Sequence, residues 1–182
     1  MIIGLTGPKL SGKGTASEYV QKQFGAVAFS MSGILTDIVN RLYVPNSREN
    51  LIAIVTDLRA RFGEDVLAQV LKKDIEAFIA KHPDTPIVID GIRMPMEVEV
   101  FSQLPDFHLV FIDAPERVRY ERALTRGEKV GESDQTFEQF QAEEQAVTES
   151  HMETLRTLSK TAVINADSLE HLHAEIDSIM KQ

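Results

Sequence analysis

The chain has 182 residues, a length that suits one domain with a substantial buried core. With 43% hydrophobic and 26% charged residues its composition is ordinary for a globular protein, which argues against the disordered and fibrous classes. The 28 acidic residues exceed the 19 basic ones and give a net charge of −9, so we expect neither a broad nucleic-acid surface nor attraction to an anionic membrane.

The sequence contains no cysteine, which excludes disulfides, thiolate zinc sites and cysteine nucleophiles. The N-terminal stretch MIIGLTGPKL lacks the basic start and long apolar core of a secretion signal. No window approaches the 18 or so uninterrupted apolar residues of a membrane-spanning helix. We therefore expect a cytoplasmic protein without a membrane partner.

Short apolar runs rich in Val, Ile and Phe alternate along the chain with segments of helical periodicity. Continuous apolar runs are typical of strands that are buried on both faces. The predicted strands are 2–5, 26–30, 86–89, 108–112 and 162–164. The predicted helices are 14–24, 33–42, 48–62, 64–80, 95–103, 115–126, a single polar stretch over 136–158, and 168–180. This alternation predicts an α/β fold with a five-stranded parallel sheet and helices on both faces.

The stretch GPKLSGKGT, residues 7–15, follows the first predicted strand and precedes an amphipathic helix. Its glycines and lysine fit the phosphate-binding pattern G-x-x-x-x-G-K-[ST], in which backbone N–H groups surround phosphates and the lysine reaches the outer ones. The hydroxyl of that pattern comes one residue late. A helix start adds partial positive charge, so we interpret the element as a phosphate site rather than a glycine-rich turn with a surface lysine. The residues assigned to nucleotide binding are Gly7, Ser11, Gly12, Lys13, Gly14 and Thr15.

The loop ending Gly12-Lys13-Gly14-Thr15 resembles that of nucleoside monophosphate kinases such as adenylate kinase. The resemblance implies the three-layer P-loop NTPase fold and ATP as phosphate donor. It also implies Lys13 on the β- and γ-phosphates, Thr15 near them, and Mg²⁺ held largely through water. The chain departs from these kinases at Leu10, where they usually carry glycine.

Asp90 ends the third predicted strand, in the segment IVIDGIR, at the sheet edge where ligands bind in open α/β folds. A Mg²⁺ ion without a loop hydroxyl needs a nearby carboxylate to orient its waters, and we predict Asp90 for this role. Arg93 could clasp a phosphate at the same edge. Nucleoside monophosphate kinases carry a similar Asp-Gly-x-x-Arg segment, and the resemblance implies that Arg93 binds the acceptor phosphate. The alternatives are a simple turn at Asp90 and a surface ion pair of Arg93 with Glu97 or Glu99.

The predicted helix 115–126 carries a one-sided basic stripe. Arg119, Arg122 and Arg126 share a face, which on an acidic protein indicates an anion site. In the monophosphate kinases the equivalent helix leads into a lid, which would here span about 126–136. The resemblance implies that Arg122 and Arg126 contact the adenine and the transferring phosphate. The alternative is ion pairing on a solvated helix, with Glu116, Glu121 and Glu128.

Between the second and third predicted strands, at about 31–80, kinases of this class insert the helices that hold the phosphate acceptor. Adenylate kinases have Thr-Gly there, followed by an arginine one helical turn on. This chain has Ser32-Gly33 and no arginine until position 41. This departure from the adenylate kinases argues against AMP as the acceptor. The candidates for the acceptor site, each also common as a surface group, are Ser32, Asp37, Arg41 and Arg59.

The segments LRARFGEDVLA, VIDGIRMPMEVEVF and RYERALTRG resemble a group of adenylate-kinase-like and dephospho-CoA-kinase-like ATP-binding proteins common in archaea. We predict a single kinase domain, monomeric or homodimeric, that uses Mg²⁺ and ATP to phosphorylate a small molecule, with a nucleoside or deoxynucleoside monophosphate favoured. Its catalytic residues would be Lys13, Arg93, Arg122 and Arg126. The alternatives are a dephospho-CoA-type kinase, a nucleotide-gated regulator or ATPase without a small acceptor, and a structural α/β protein.

Overall fold

The computed structural model describes residues 1–126, 136–147 and 149–181, and within these ranges all side chains except those of 126, 143–147, 149 and 150. The strands are β1 (Ile2–Thr6), β2 (Val27–Ser30), β3 (Ile87–Ile92), β4 (Phe107–Asp113) and β5 (Thr161–Ile164). The helices are α1 (Lys13–Phe24), α2 (Met31–Arg41), α3 (Arg48–Phe62), α4 (Val66–Ile79), α5 (Pro95–Phe101), α6 (Glu116–Arg126), α7 (Phe137–Val147), α8 (Glu149–Leu158) and α9 (Leu169–Met180).

The five strands form one parallel sheet in the order β2-β3-β1-β4-β5. Central strand β1 is buried on both faces, since Ile2 packs with side chains of α4 and α5 whereas Ile3 and Leu5 pack with α1 and α9. Each fully buried side chain of this size contributes about 1.5–3 kcal/mol. The two cores therefore fix the strand ends from both sides. The predicted α/β fold, with its five-stranded parallel sheet covered by helices on both faces, is confirmed.

The carboxyl end of β3 carries a bulge next to the segment that follows β1. The pairing of β1 with β3 shifts between Gly4 and Thr6, so that one residue of β1 faces two of β3, Asp90 and Gly91. Gly91 has a φ of 78°, a left-handed conformation that glycine reaches easily. The Thr6 Oγ1 donates to the Ile92 carbonyl at 2.8 Å and holds the shifted register. Bulges commonly redirect side chains at the edge of a sheet, and this one lies at Asp90 and Gly91.

The predicted end of β3 is wrong, because β3 continues to Ile92 where the sequence prediction ends it at 89. Over the polar stretch 136–158, predicted as one helix, the structure describes α7 and α8 on either side of residue 148, which lies outside the described residues. The helix predicted for 48–62 is confirmed as α3, and its start has the expected cap: the Ser47 Oγ accepts the backbone N–H of Asn50 at 3.2 Å.

The lid predicted for 126–136 lies almost entirely outside the described residues, which include only the backbone of 126 and Thr136 at its two ends. Among the described helices, none combines the length and the apolar character needed to cross a membrane.

Candidate phosphate-binding site

In the loop between β1 and α1, two glycines pack closely against neighbouring residues. Gly7 has a φ of 133°, and a Cβ added there would overlap the Ile112 carbonyl oxygen at the end of β4. Gly12 has a φ of 105°, and a Cβ there would overlap the Asn165 side chain. At both positions a left-handed backbone and a close neighbour require glycine. The loop therefore has little freedom to adopt another shape.

The first turn of α1 presents backbone donors toward the loop. Gly12, the N-cap residue that precedes α1, has no side chain with which to cap the helix. Lys13 lies over the loop, with its Nζ donating to the carbonyl oxygens of Gly7 at 2.9 Å and Pro8 at 2.7 Å. Thr15 is exposed, and no heavy atom lies within 4 Å of a Cβ built on Gly14. The start of the helix is therefore open on the side of Gly14 and Thr15.

Leu10 adopts the backbone conformation that its usual glycine counterpart would favour. Its φ is 61°, in the left-handed region, which costs a non-glycine residue about 1–2 kcal/mol. The departure from the monophosphate kinases at this position thus leaves a left-handed turn in place. Part of the cost is offset because the Leu10 carbonyl accepts a hydrogen bond from Arg122 Nη1 at 3.1 Å.

Asn165, directly after β5, is the residue of this site that sequence reasoning missed. It is 5% exposed, and its Nδ2 donates to the Ser11 carbonyl at 2.8 Å. Its backbone N–H donates to the Asp113 carbonyl at 2.7 Å, and its own carbonyl accepts from Arg122 Nη2 at 3.1 Å. Asn165 thus joins the loop to the ends of β4 and β5. The available signal was a polar residue ending an apolar run at the ligand-binding edge of the sheet.

Two arginines of α6 contact the back of the loop. Arg122 bridges the carbonyls of Leu10 and Asn165, and burial lowers the pKa of its guanidinium. Arg119 is buried. Its Nε donates to the Ala114 carbonyl at 3.0 Å and its Nη1 donates to the Lys9 carbonyl at 3.5 Å. The shared face predicted for these residues is therefore present in the structure, directed at the loop. The side chain of Arg126 lies outside the described residues.

The alternative prediction, that the arginines of α6 form ion pairs with glutamates, applies to the other face of this helix. Exposed Arg117 pairs with Glu121, with 3.4 Å between Nε and Oε1. Glu116 instead accepts a hydrogen bond from Gln141 of α7 at 2.8 Å. Within the described residues, neither of these carboxylates pairs with Arg122.

Asp90 and Gly14 line the same cleft, which has a volume of about 210 Å³ and lies between α1 and the ends of β2 and β3. Asp90 is partly exposed, and in the described part of the chain its carboxylate makes no hydrogen bond or ion pair. The corresponding carboxylate at the end of β4 is occupied, since Asp113 Oδ2 accepts from Arg156 Nη1 at 3.0 Å. Asp90 is thus the available strand-end carboxylate beside the helix start.

A magnesium ion would fit this donor set. Among the described residues, no group of three or more His, Asp or Glu side chains could enclose a metal. Mg²⁺ does not need such a group, because it keeps several waters and commonly binds one or two carboxylates together with substrate phosphates. One partly exposed carboxylate in a cleft shared with Gly14 matches that mode of binding.

The segment after β3 brings two predicted acceptor residues near each other. Arg93 is exposed, and within the described residues its guanidinium makes no hydrogen bond or ion pair. Arg59 reaches this segment from α3, with its Nη2 3.7 Å from the Met94 Sδ and 4.0 Å from the Glu97 Oε1. Glu97 does not form the surface pair considered from the sequence, because it is 3% exposed and accepts the backbone N–H of Arg93 at 2.8 Å.

The remaining predicted acceptor residues lie on α2. Ser32 is exposed, and its Oγ is 3.2 Å from the Oγ of Ser30, which lines the cleft with Asp90. Asp37 and Arg41 are exposed, and neither side chain makes a hydrogen bond or ion pair within the described part of the chain. The structure thus brings Ser32 close to the cleft and leaves Asp37 and Arg41 without a described partner.

The parallel sheet, strand order and glycine loop define a P-loop protein of the kinase-like type. A family model described as AAA domain matches residues 6–141. That match covers most of the chain, so the chain belongs to this P-loop family.

Relatives of known sequence include a UPF0200 protein of Pyrococcus abyssi, 26% identical over 185 residues and covering 100% of this chain and 96% of the relative. A UPF0200 protein of Methanothrix thermoacetophila is 32% identical over 127 residues, which are 69% of this chain and 66% of the relative. Among solved structures, shikimate kinase of Bacteroides thetaiotaomicron is similar with a TM-score of 0.62 at 13% identity, covering 100% of this chain and 97% of that chain. The protein TT1252 of Thermus thermophilus has a TM-score of 0.61 at 19% identity, covering 100% and 96%. These structural similarities bear on the fold.

Proposed function

We propose that this protein is a Mg²⁺- and ATP-dependent phosphotransferase acting as one domain, with a nucleoside or deoxynucleoside monophosphate as its acceptor. The observation that carries the proposal is the loop of Gly7 and Gly12, which is closed by tertiary contacts and continues into an uncapped helix start beside Lys13. Donors at such a helix start suit phosphate oxygens. A closed loop that needs glycine at two positions is more than a turn connecting a strand to a helix.

On the donor side, Lys13 would exchange its partners. Its ammonium now donates to two neutral carbonyls, those of Gly7 and Pro8. Hydrogen bonds to phosphate oxygens are charge-assisted and about twice as strong, so donor phosphates would draw the side chain away from the loop carbonyls. Arg122 donates to the Leu10 carbonyl of the loop, and we propose that it lies beside the bound nucleotide. Asp90 would hold Mg²⁺ through water, and the bound ion would neutralise charge on the phosphates.

On the acceptor side, Arg93 offers an exposed guanidinium that is suited to a phosphate group. A monophosphate acceptor already carries its nucleophilic oxygen in ionised form, so this reaction needs no general base. Positioning and charge neutralisation then account for most of the catalysis. Lys13, Arg93, Arg122 and Arg126 are the cations proposed to surround the migrating group.

A hydroxyl acceptor, as in dephospho-CoA kinase, is the second candidate. It is favoured by the lining of the cleft beside Gly14, where the described side chains include Asp90, Glu18, Ser17 and Ser30 and no basic residue. Carboxylates and hydroxyls would bind a polyol, and a carboxylate could accept the proton of the attacking hydroxyl. Shikimate kinases share this fold, which makes shikimate a useful member of a substrate panel.

The test is ADP release from Mg·ATP, measured with each nucleoside and deoxynucleoside monophosphate, with dephospho-CoA, with shikimate, and without acceptor. We expect a monophosphate to raise the rate about tenfold or more above the acceptor-free blank, because acceptor binding completes the site. Stimulation by dephospho-CoA or shikimate alone would favour the hydroxyl acceptor. A rate that no acceptor raises would contradict the kinase proposal and favour an ATPase or a nucleotide-gated regulator.

A further inference from the structure

Glu97 is a buried carboxylate between two elements of the acceptor side. It is 3% exposed on α5, and its Oε2 accepts the backbone N–H of Arg93 at 2.8 Å and of Met94 at 3.1 Å. Its other oxygen, Oε1, faces the Arg59 guanidinium, with 4.0 Å to Nη2. One side chain therefore connects α3 with the segment that carries Arg93.

Glu97 also caps α5, because its side chain accepts the backbone N–H of Met94, the N-cap residue of that helix. Burying a carboxylate is costly unless it is paired and hydrogen-bonded. Burial raises the pKa of Glu97, while the two backbone N–H groups and the positive charges of Arg59 and Arg93 act in the opposite direction. The carboxylate therefore feels both guanidinium groups, one from each connected element.

The two arginines keep unused donors. The Nε of Arg59 is buried and has no hydrogen-bond partner among the described residues, since the nearest carboxylate oxygen, Oε2 of Glu64, is 3.8 Å away. Arg93 is exposed and, within the same residues, bonds through its backbone only. Two guanidinium groups beside one carboxylate, each with open donors, are suited to the several oxygens of a phosphate.

We infer that Glu97 is a positioning residue that holds Arg59 and Arg93 as the two halves of one clamp for an anionic group of the acceptor. Its carboxylate lies 4.0 Å from the Arg59 guanidinium and accepts the backbone N–H of Arg93, so its negative charge reduces the repulsion between the two cations. Its backbone contacts fix the segment that carries Arg93. The inference rests on the proposed kinase function for the identity of the anion as an acceptor phosphate, but the clamp itself can be tested without turnover.

The kinetic test compares Glu97→Gln with Glu99→Gln, an exposed acid on the same helix. For the acceptor that stimulates the wild-type protein, we expect Glu97→Gln to raise the acceptor KM about tenfold, with the ATP KM changing less than about twofold, since a lost buried charge contact commonly costs a factor of this size. Glu99→Gln should leave both values unchanged. A Glu97→Gln protein with an unchanged acceptor KM, or with both KM values raised equally, would overturn the inference.

The binding test follows the arginine Nε–Hε signals in NMR spectra during titration with inorganic phosphate. Signals are assigned from Arg59→Lys and Arg93→Lys, which keep the charge but lose the planar fork. We expect the Arg59 and Arg93 signals to shift together along one binding curve, and each Lys variant to weaken the response of the other arginine. The result that would overturn the clamp is that the signals stay in place, or follow separate curves, whatever the kinetic panel shows.

The outcomes separate the two proposals. If no acceptor stimulates ADP release but the two arginines respond together to phosphate, the kinase function fails and the clamp stands. If an acceptor stimulates turnover while the arginine signals and the Glu97→Gln kinetics do not change, the function stands and the clamp fails. If circular dichroism shows that Glu97→Gln does not fold, the kinetic test uses Arg59→Lys instead. We expect the same rise in acceptor KM for that variant.

Discussion

The end of the molecule proposed to bind the phosphate donor and the end proposed to bind the acceptor are built differently. At the donor end, Gly7 and Ser11 are buried and Asn165 ties the loop to two strands. At the acceptor end, α3 contains no buried residue, and Tyr43 in the turn before it is 88% exposed. A segment with few buried contacts opens at low cost. The difference indicates that the loop proposed to bind the donor phosphates is held in place, whereas α3, on the proposed acceptor side, can open locally at low cost.

This asymmetry suits phosphoryl transfer. The donor phosphates need fixed dipoles in place before the reaction, because reorganising them during the reaction would raise the barrier. The acceptor side needs to admit a substrate and then exclude water, which commonly requires motion of a helical element. The apolar side chains exposed on the insert include Leu42, Tyr43, Val44, Ile52 and Phe62.

Hydrogen exchange gives the largest expected contrast between the two ends. Amides of α3 should exchange about 100-fold or more faster than those of central strand β1, because local opening exposes the former whereas only global unfolding exposes the latter. The measurement is native-state exchange followed by mass spectrometry or NMR. Equal protection of α3 and β1 would show that the insert is as firmly held as the donor site, against this account.

Lys13→Ala tests the chemical importance of the donor end. We expect acceptor-stimulated turnover to fall about 100-fold or more, the usual cost of removing one charge-stabilising group from a transition state. The matched control is Lys22→Ala, a lysine in the last turn of the same helix, which should retain wild-type turnover. Equal rates for the two variants would remove Lys13 from the proposed site.

Asn165→Ala tests the structural importance of the donor end. The substitution leaves the Ser11 carbonyl without its hydrogen bond and empties the space against Gly12, so we expect a loss of about 2 kcal/mol in the free energy of unfolding. Urea denaturation measures it, with exposed Asn40→Ala as the control. ATP affinity should fall as well, because the loop loses its support. A loss no larger than that of the control would mean that Asn165 does not hold the loop.

Gly14→Ala separates the needs of the fold from those of a ligand. Gly14 lies in the first turn of α1 with no neighbour within 4 Å of an added Cβ, and its φ is not positive. Alanine should therefore stabilise the protein by about 1 kcal/mol through its helix propensity. We expect turnover to fall nonetheless, because the added methyl group would face the donor phosphates. Full activity in Gly14→Ala would show that no ligand approaches the backbone there.

Gly12→Ala is the counterpart of that substitution. Its Cβ would meet the Asn165 side chain, and its φ of 105° is unfavourable for alanine. We expect a loss of stability where Gly14→Ala gives a gain. The opposite signs, measured by the same urea denaturation, distinguish a glycine required by the fold from one left open for a ligand.

A smaller effect is expected from the buried carboxylate of the acceptor end. Because burial raises the pKa of Glu97 in the folded protein, its contribution to stability is complete in acid and is lost as pH rises through the raised pKa. The free energy of unfolding of the wild type should therefore fall relative to that of Glu97→Gln as the pH rises from the usual pKa of a glutamate through the raised pKa of Glu97. A difference that stays constant over this range, in denaturation at several pH values, would contradict the raised pKa.

The sequence predicts the strands and helices of this protein better than the side-chain contacts between distant parts of the chain. Strand positions follow from apolar runs buried on both faces, and the start of α3 follows from the capping chemistry of Ser47. The glycine loop could be recognised because its spacing is local. Asn165 could not be assigned, since its role depends on the proximity of the β5 end to Gly12, which are far apart in the chain.

Glu97 illustrates the same limit on the acceptor side. From the sequence, Glu97 is a possible partner of Arg93 in a surface ion pair, as is Glu99. In the fold Glu97 is buried and bonds the backbone of Arg93, while Arg59 approaches from another helix. Burial of a charged residue depends on how α3, α5 and β3 pack, and local periodicity does not contain that information.

The most direct test of the central claim follows the γ-phosphate itself. Wild-type protein is incubated with Mg²⁺, ATP labelled with ³²P at the γ-position, and a nucleoside monophosphate, and the products are separated by chromatography. We predict that the label is recovered mainly in the nucleoside diphosphate and that Lys13→Ala abolishes this product. Label recovered only as inorganic phosphate, with every monophosphate tried, would contradict the assignment of this site to phosphoryl transfer between small molecules.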